Sequence, residues 1–146
     1  VHAVNGVSLT LEPGQVLGIL GESGSGKSVT LKTLLRLLPE SRTDIGGGVR
    51  VDGRDVLALN PQDLADYRGA VTSMIFQDPA LALDPVYTVG QQIAEAIIRH
   101  ESISAKAAMA RALELLELVR IPSPERRLKA YPHEMSGGMR QRAMIA

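Results

Sequence analysis

The sequence predicts an α/β fold, and three observations carry that prediction. Residues 16–20 are almost wholly apolar, a glycine-rich loop follows at 21–26, and beyond it Leu31, Leu34, Leu35 and Leu38 recur at helical spacing before Pro39. A short uninterrupted apolar run suits a strand covered on both faces of a parallel sheet. Strand, glycine-rich loop and helix therefore follow in that order.

The elements can be justified in turn. Val7, Leu9 and Leu11 alternate with Ser8 and Thr10, the period-two pattern of a half-buried strand, and Glu12-Pro13-Gly14 supplies a turn. The strand at 16–20 and the helix after Gly26 come next. Gly46-Gly47-Gly48 precede an extended Val49-Arg50-Val51, Asn60-Pro61 read as an N-cap with proline in the first turn of a helix running to about Arg68, and 71–76 reads as a further strand. From 77 to 85 prolines and aspartates mark a loop. Ile93, Ala94, Ile97 and Ile98 then share one helical face, and Met109, Ala112, Leu113, Leu116 and Val119 define a longer helix that Pro122 and Pro124 end. A basic cluster, Arg126-Arg127-Leu128-Lys129, leads to Tyr131-Pro132-His133-Glu134-Met135, and Ser136 caps a last helix. This divides the chain into a sheet-containing core at 1–77 and a helical subdomain at 78–146. The chain starts at Val1 rather than Met and stops inside a helical pattern, so the expectation is one incomplete domain.

Composition narrows the chemistry. The 146 residues are 45% apolar, enough for a core, and 16 basic residues balance 16 acidic ones. A formal net charge of zero supplies no global field for nucleic acid or anionic lipid, so phosphate chemistry must be local. The absence of cysteine excludes disulfides, thiolate metal sites and cysteine nucleophiles. No apolar stretch approaches the ~18–20 residues of a membrane span.

Gly21-Glu22-Ser23-Gly24-Ser25-Gly26-Lys27-Ser28 matches G-x-x-x-x-G-K-[ST] at every fixed position, between an apolar run and an amphipathic helix. Glycines allow successive N–H groups to face phosphate oxygens, and the helix start adds its positive dipole end. Lys27 then reaches the β- and γ-phosphates and the Ser28 hydroxyl can ligate Mg²⁺. Gly21, Glu22, Ser23, Gly24, Ser25, Gly26, Lys27, Ser28 and Val29 are accordingly the expected nucleotide-binding residues.

Ser136-Gly137-Gly138 before a helix is, alone, more often an ordinary cap than a ligand site. Together with Met139-Arg140-Gln141-Arg142 and with Phe76-Gln77-Asp78-Pro79, in this order after the phosphate loop, it resembles the ATP-binding cassette (ABC) family of transport ATPases. Glu22-Ser23, Leu83-Asp84-Pro85, Thr88-Val89-Gly90 and Tyr131-Pro132-His133-Glu134 narrow the likeness to dipeptide, oligopeptide and nickel import ATPases. Met135 and Met139 stand where the signature LSGGQ has leucine and glutamine.

The resemblance implies a P-loop nucleotide triphosphate hydrolase core with a helical subdomain, truncated before the Walker B strand. It implies ATP and Mg²⁺ as cofactors, with Lys27 and Gln77 as catalytic residues and Ser28 and Gln77 on the metal. Ser136, Gly137, Gly138 and Met139 act in trans, on ATP held by a second ABC ATPase subunit, identical or paralogous. Transmembrane permease subunits are the other partners, nucleic acid is not, and the place is peripheral, on the cytoplasmic face of a bacterial inner membrane. By this resemblance the adenine-stacking aromatic and the catalytic glutamate fall outside the chain, so the chain alone is expected to be inactive. His133 and Glu134 precede the signature and read as polar loop residues. The alternatives are a soluble, non-transport ABC ATPase and a nucleotide-binding fragment without turnover.

Overall fold

The computed structural model describes residues 2–78 and 82–146, which fall into two compact units, Val1–Ser73 and Met74–Ala146. In the first unit, helix α1 spans Lys27–Leu34, strands β1 (Arg50–Val51) and β2 (Arg54–Asp55) form an antiparallel hairpin, and α2 spans Pro61–Ala70. The hairpin turns on Asp52 and Gly53, both at positive φ (49° and 73°), the backbone that a two-residue turn between twisted strands demands.

α2 starts where the sequence places it. The Asn60 side-chain Oδ1 accepts from the Asp63 N–H at 2.9 Å, and Pro61 occupies the first turn. Its regular part ends at Tyr67, because Arg68 (ψ 117°) and Gly69 (φ 98°) leave helical space. Leu64 and Tyr67 on α2 pack with Val56 as a small core that Val49, Val51, Leu59 and Val71 flank.

α1 stops at Leu34, short of Pro39. Arg36 is left-handed (φ 48°), its N–H donates to Thr33 O, and the Leu37 N–H reaches back to Lys32 O at 3.0 Å. That pair of bonds is a Schellman termination, closed here on arginine rather than glycine. α2 satisfies the remaining carbonyls: the Tyr67 hydroxyl donates to Leu34 O at 2.8 Å, Arg68 Nε to Leu35 O at 2.8 Å, and Arg68 Nη2 to Arg36 O.

The strands expected at 7–11, 16–20 and 71–76 are not formed among the described residues; 71–76 contributes only an isolated bridge, Arg68 to Thr72. The turn at Glu12-Pro13-Gly14 is present, with the Gln15 N–H donating to Glu12 O at 3.0 Å. Apolar alternation specifies a face, but a strand also needs a neighbour for its backbone groups. No described segment supplies one, and Val16 and Leu20 stay 98% and 95% exposed.

The second unit is helical: α3 (Val89–His100), α4 (Ala105–Leu118), α5 (Pro124–Leu128) and α6 (Gly137–Ile145). Thr88 and Gln91 cap α3 reciprocally, and Ser104 caps α4. Val89, Ile93, Ala94 and Ile97 of α3 pack with Ala108, Ala112 and Leu116 of α4, and with Ile121, Ala130, Met135, Met139 and Ala143. Ile98, expected on the same face, is exposed, and Met109 and Val119 are half-buried at the edge. Gly90 is a requirement of this packing, since a Cβ there would lie 2.5 Å from Leu128 O and 2.7 Å from Leu128 Cγ. α4 ends before the prolines, in a second Schellman motif: Arg120 is left-handed (φ 57°), its N–H donates to Glu117 O, and the Ile121 N–H donates to Leu116 O at 3.0 Å. Leu116 and Ile121 are both buried beneath it.

Candidate nucleotide-binding site

Two glycines shape the loop at 21–28. Gly26, the N-cap of α1, sits at φ 88°, and a Cβ on it would lie 2.7 Å from Ala3 O. Any side chain there is strained and also collides with backbone. At Gly21 a Cβ would come within 2.7 Å of Ser25 Oγ, so the loop closes tightly on itself. Ser25 N–H donates across it to Glu22 O at 3.2 Å.

The Thr30 N–H makes the first bond of α1, to Gly26 O at 2.8 Å. The N–H groups of Lys27, Ser28 and Val29 precede it and have no acceptor inside the helix, and no side chain caps them. They form the positive end of the helix dipole.

Lys27 lies at that same end. Its Nζ donates to Gly21 O at 2.7 Å, to Glu22 O at 2.6 Å and to Ser25 Oγ at 3.2 Å. A positive charge and three helix-start N–H groups thus lie at one end of the loop, beside an open groove whose lining is largely apolar (Val7, Leu9, Leu17, Ile19 and Leu20) and includes Gly21, Ser25, Lys27 and Thr30. Such an arrangement can receive an anion carrying several oxygens. Glu22, Ser23 and Gly24 are exposed and Val29 is half-buried. Ser28 is exposed in the first turn of α1, and its hydroxyl is the hard oxygen donor that Mg²⁺ prefers. That donor fits the ion.

Gln77, in the second unit, is exposed, and Asp78 follows it; Pro79 lies outside the described residues. The Leu83-Asp84-Pro85 loop is clamped by a residue that the sequence did not single out. Gln92 Oε1 accepts from the Asp84 N–H at 2.8 Å, while Gln92 Nε2 donates to Asp84 O and Tyr87 O at 2.9 and 3.0 Å. Only the Gln at the fourth position of a helix whose preceding loop must fold back could have signalled it.

At 136–139 the side chains divide. Ser136 Oγ accepts from the Met139 N–H at 3.3 Å and caps α6. Gly137 and Gly138 are exposed, and a Cβ on either would meet nothing within 4 Å. Met135 and Met139 turn into the helical core at 4% and 8% exposure, so the two departures from the signature are core residues. Arg142 Nη1 donates to Arg120 O at 2.7 Å, tying α6 to the end of α4. Glu134 accepts from the Tyr131 N–H at 2.8 Å, and His133 stacks on the Tyr131 ring, so both serve the local turn.

The ABC transporter family profile matches residues 4–146. The chain is 54% identical over 146 residues to a "Probable peptide ABC transporter ATP-binding protein" of Sinorhizobium fredii, covering 99% of this chain and 44% of that one. It is 48% identical to the oligopeptide transport ATP-binding protein OppD of Bacillus subtilis, covering all of this chain and 41% of OppD. The chain therefore spans less than half the length of these relatives. Among solved structures it is similar to an ATP-binding cassette in a dimeric post-hydrolysis state bound to ADP and Pi, with a TM-score of 0.68, 27% identity, and coverage of 85% of this chain and 51% of that one. Among the described residues no helix is long and apolar enough to cross a membrane. With the profile matched from 4 to 146 and the cassette fold shared over most of its length, the chain belongs to the ABC transporter family.

Proposed function

We propose that this chain carries the ATP-binding and signature segments of an ATPase that powers import of peptides, or of nickel and metal-peptide complexes, across a bacterial inner membrane. The observation that carries the reading is Lys27, held at the start of α1 by Gly21, Glu22 and Ser25 inside a loop of the phosphate-binding pattern. The relatives' names, peptide and oligopeptide transport ATP-binding proteins, support the substrate class. The protein would sit peripherally on the cytoplasmic face, bound to permease subunits and to a second ATPase subunit.

Each residue then has a role. The loop from Gly21 to Gly26 wraps the phosphates with backbone N–H groups, Lys27 neutralises the β- and γ-oxygens, and Val29 adds a helix-start N–H. Ser28 and Gln77 would be the residues that hold Mg²⁺, and the ion would supply neutralisation of phosphate charge. Ser136, Gly137 and Gly138 cover ATP held by the other subunit. The fold gives them room, because the two glycines face open space. Met139 supplies its backbone there, its side chain being committed to the core.

The test uses the full-length protein. Lys27→Ala abolishes Mg-ATP hydrolysis and weakens ATP binding, read by phosphate release and equilibrium titration, because nothing else in the loop carries positive charge. Near-normal turnover in that variant overturns the assignment. Gly137→Val leaves ATP binding by a monomer intact and stops turnover by the dimer; equal loss of both makes the segment structural.

A further inference from the structure

An ammonium group has three N–H donors and no more. At Lys27 all three are used inside the loop: Gly21 O at 2.7 Å, Glu22 O at 2.6 Å and Ser25 Oγ at 3.2 Å. Any phosphate oxygen that takes a hydrogen bond from Lys27 must therefore displace one of these acceptors. The three are unequal. The two carbonyls are short contacts, and their backbone is tied across the loop by the Ser25 N–H to Glu22 O bond. The Ser25 hydroxyl makes the longest of the three contacts, sits on an exposed side chain and leaves by one rotation about χ1.

We infer that the Ser25 side chain is a placeholder for a phosphate oxygen: it holds the third donor of Lys27 and gives it up when a nucleotide polyphosphate arrives. This rests on the reading of 21–28 as the phosphate-binding loop and adds a role for a side chain where that reading uses only backbone. Ser25 is then a positioning residue. It aims the ammonium along the direction in which a phosphate oxygen replaces the hydroxyl, and it competes with the ligand for that donor.

The competition has a sign. Removing the placeholder removes a bond that binding must break, so Ser25→Ala tightens binding where a purely structural or ligand-contacting serine would weaken it. In the full-length protein, Ser25→Ala raises affinity for Mg-ATP about two- to tenfold by equilibrium titration, the equivalent of one exchanged hydrogen bond. Ser25→Thr, which keeps the hydroxyl, returns affinity to the wild-type value. Adenosine, which lacks phosphates, binds both variants as it binds wild type. In a Lys27→Ala background the Ser25→Ala gain disappears, because no ammonium remains to compete for. Thermal melting of each variant confirms folding before the titration is read.

The failures separate. If Lys27→Ala weakens ATP binding but Ser25→Ala leaves it unchanged or lowers it, the placeholder role is wrong and the phosphate-loop reading stands. If Lys27→Ala has no effect on ATP binding, the phosphate-loop reading falls and this inference with it. A Ser25→Ala gain that persists without Lys27 also overturns the inference, since the serine would then act elsewhere.

Discussion

α1 follows a glycine N-cap, Gly26, and α6 opens on Gly137 and Gly138, yet the two starts are held by different means. α6 is built by its surroundings: Ser136 caps it, Met135 and Met139 anchor it in the core, and Arg142 binds the end of α4. The start of α1 has no side-chain cap, and the loop before it is held by the three hydrogen bonds of Lys27. One start is organised by apolar packing, the other by the polar contacts of a single side chain. The same contrast runs through the two units. The second closes an apolar core over several helices, whereas the first buries Val56, Leu64 and Tyr67 and leaves Val7, Leu9, Leu11, Val16 and Leu20 at the surface.

The largest effect that would break this comparison is in the second unit. Leu116 is fully buried among residues of α3 and α4 and lies under the Schellman turn at Ile121. Leu116→Ala is expected to cost about 2–5 kcal/mol, transfer plus cavity, because Ala108 and Ala112 beside it have no volume to give. Urea unfolding followed by far-UV circular dichroism measures it. A cost below about 1 kcal/mol would mean that this core is as loosely held as the surface of the first unit.

Much of the helical architecture was legible because its signals are local. Asn60-Pro61 and Ser136 mark helix starts that the structure keeps, and the spacing of Ile93, Ala94 and Ile97 marks the buried face of α3. The Asp52-Gly53 turn was equally local, and its hairpin could have been read from that dipeptide between Val51 and Arg54. The three strands were not legible in the same sense. Pairing is a property of two segments, and a pattern in one segment cannot supply the other. At the candidate site the loop at 21–28 could be read residue by residue, since its glycines and lysine act within eight positions. The Gln92 clamp, and the Arg142 bond to Arg120, join residues that no periodic pattern links.

A smaller effect sharpens the comparison at the helix ends. α1 and α4 both terminate on a left-handed arginine, Arg36 and Arg120. The left-handed backbone costs an ordinary residue roughly 1 kcal/mol, which glycine avoids. Arg120→Gly is therefore expected to stabilise by about 0.5–1 kcal/mol, because Arg142 is held by the Arg120 carbonyl, which the substitution keeps. Arg36→Gly gains nothing net. The Arg36 guanidinium donates to Leu59 O and Glu40, both at 2.6 Å, and losing a part-buried bond offsets the relief. Midpoint shifts in urea at constant slope distinguish the two variants. Equal gains would show that the Arg36 side-chain bonds contribute nothing.

The smallest effect belongs to the surface of the first unit. Val16 is 98% exposed, so Val16→Thr removes no apolar area that folding has taken from water, and the ~25 cal/mol per Å² of burial has nothing to act on. Threonine also keeps the β-branched shape and its preference for extended backbone, so the local conformation at 16–20 is unchanged. The 146-residue chain carrying this change should therefore unfold in urea within about 0.5 kcal/mol of the unmodified chain, as surface substitutions do. A loss of about 1 kcal/mol or more would mean that the valine is covered in solution. That would place residues 16–20 with Leu116 among the buried groups and remove the contrast between an apolar core that is closed and an apolar segment that is open.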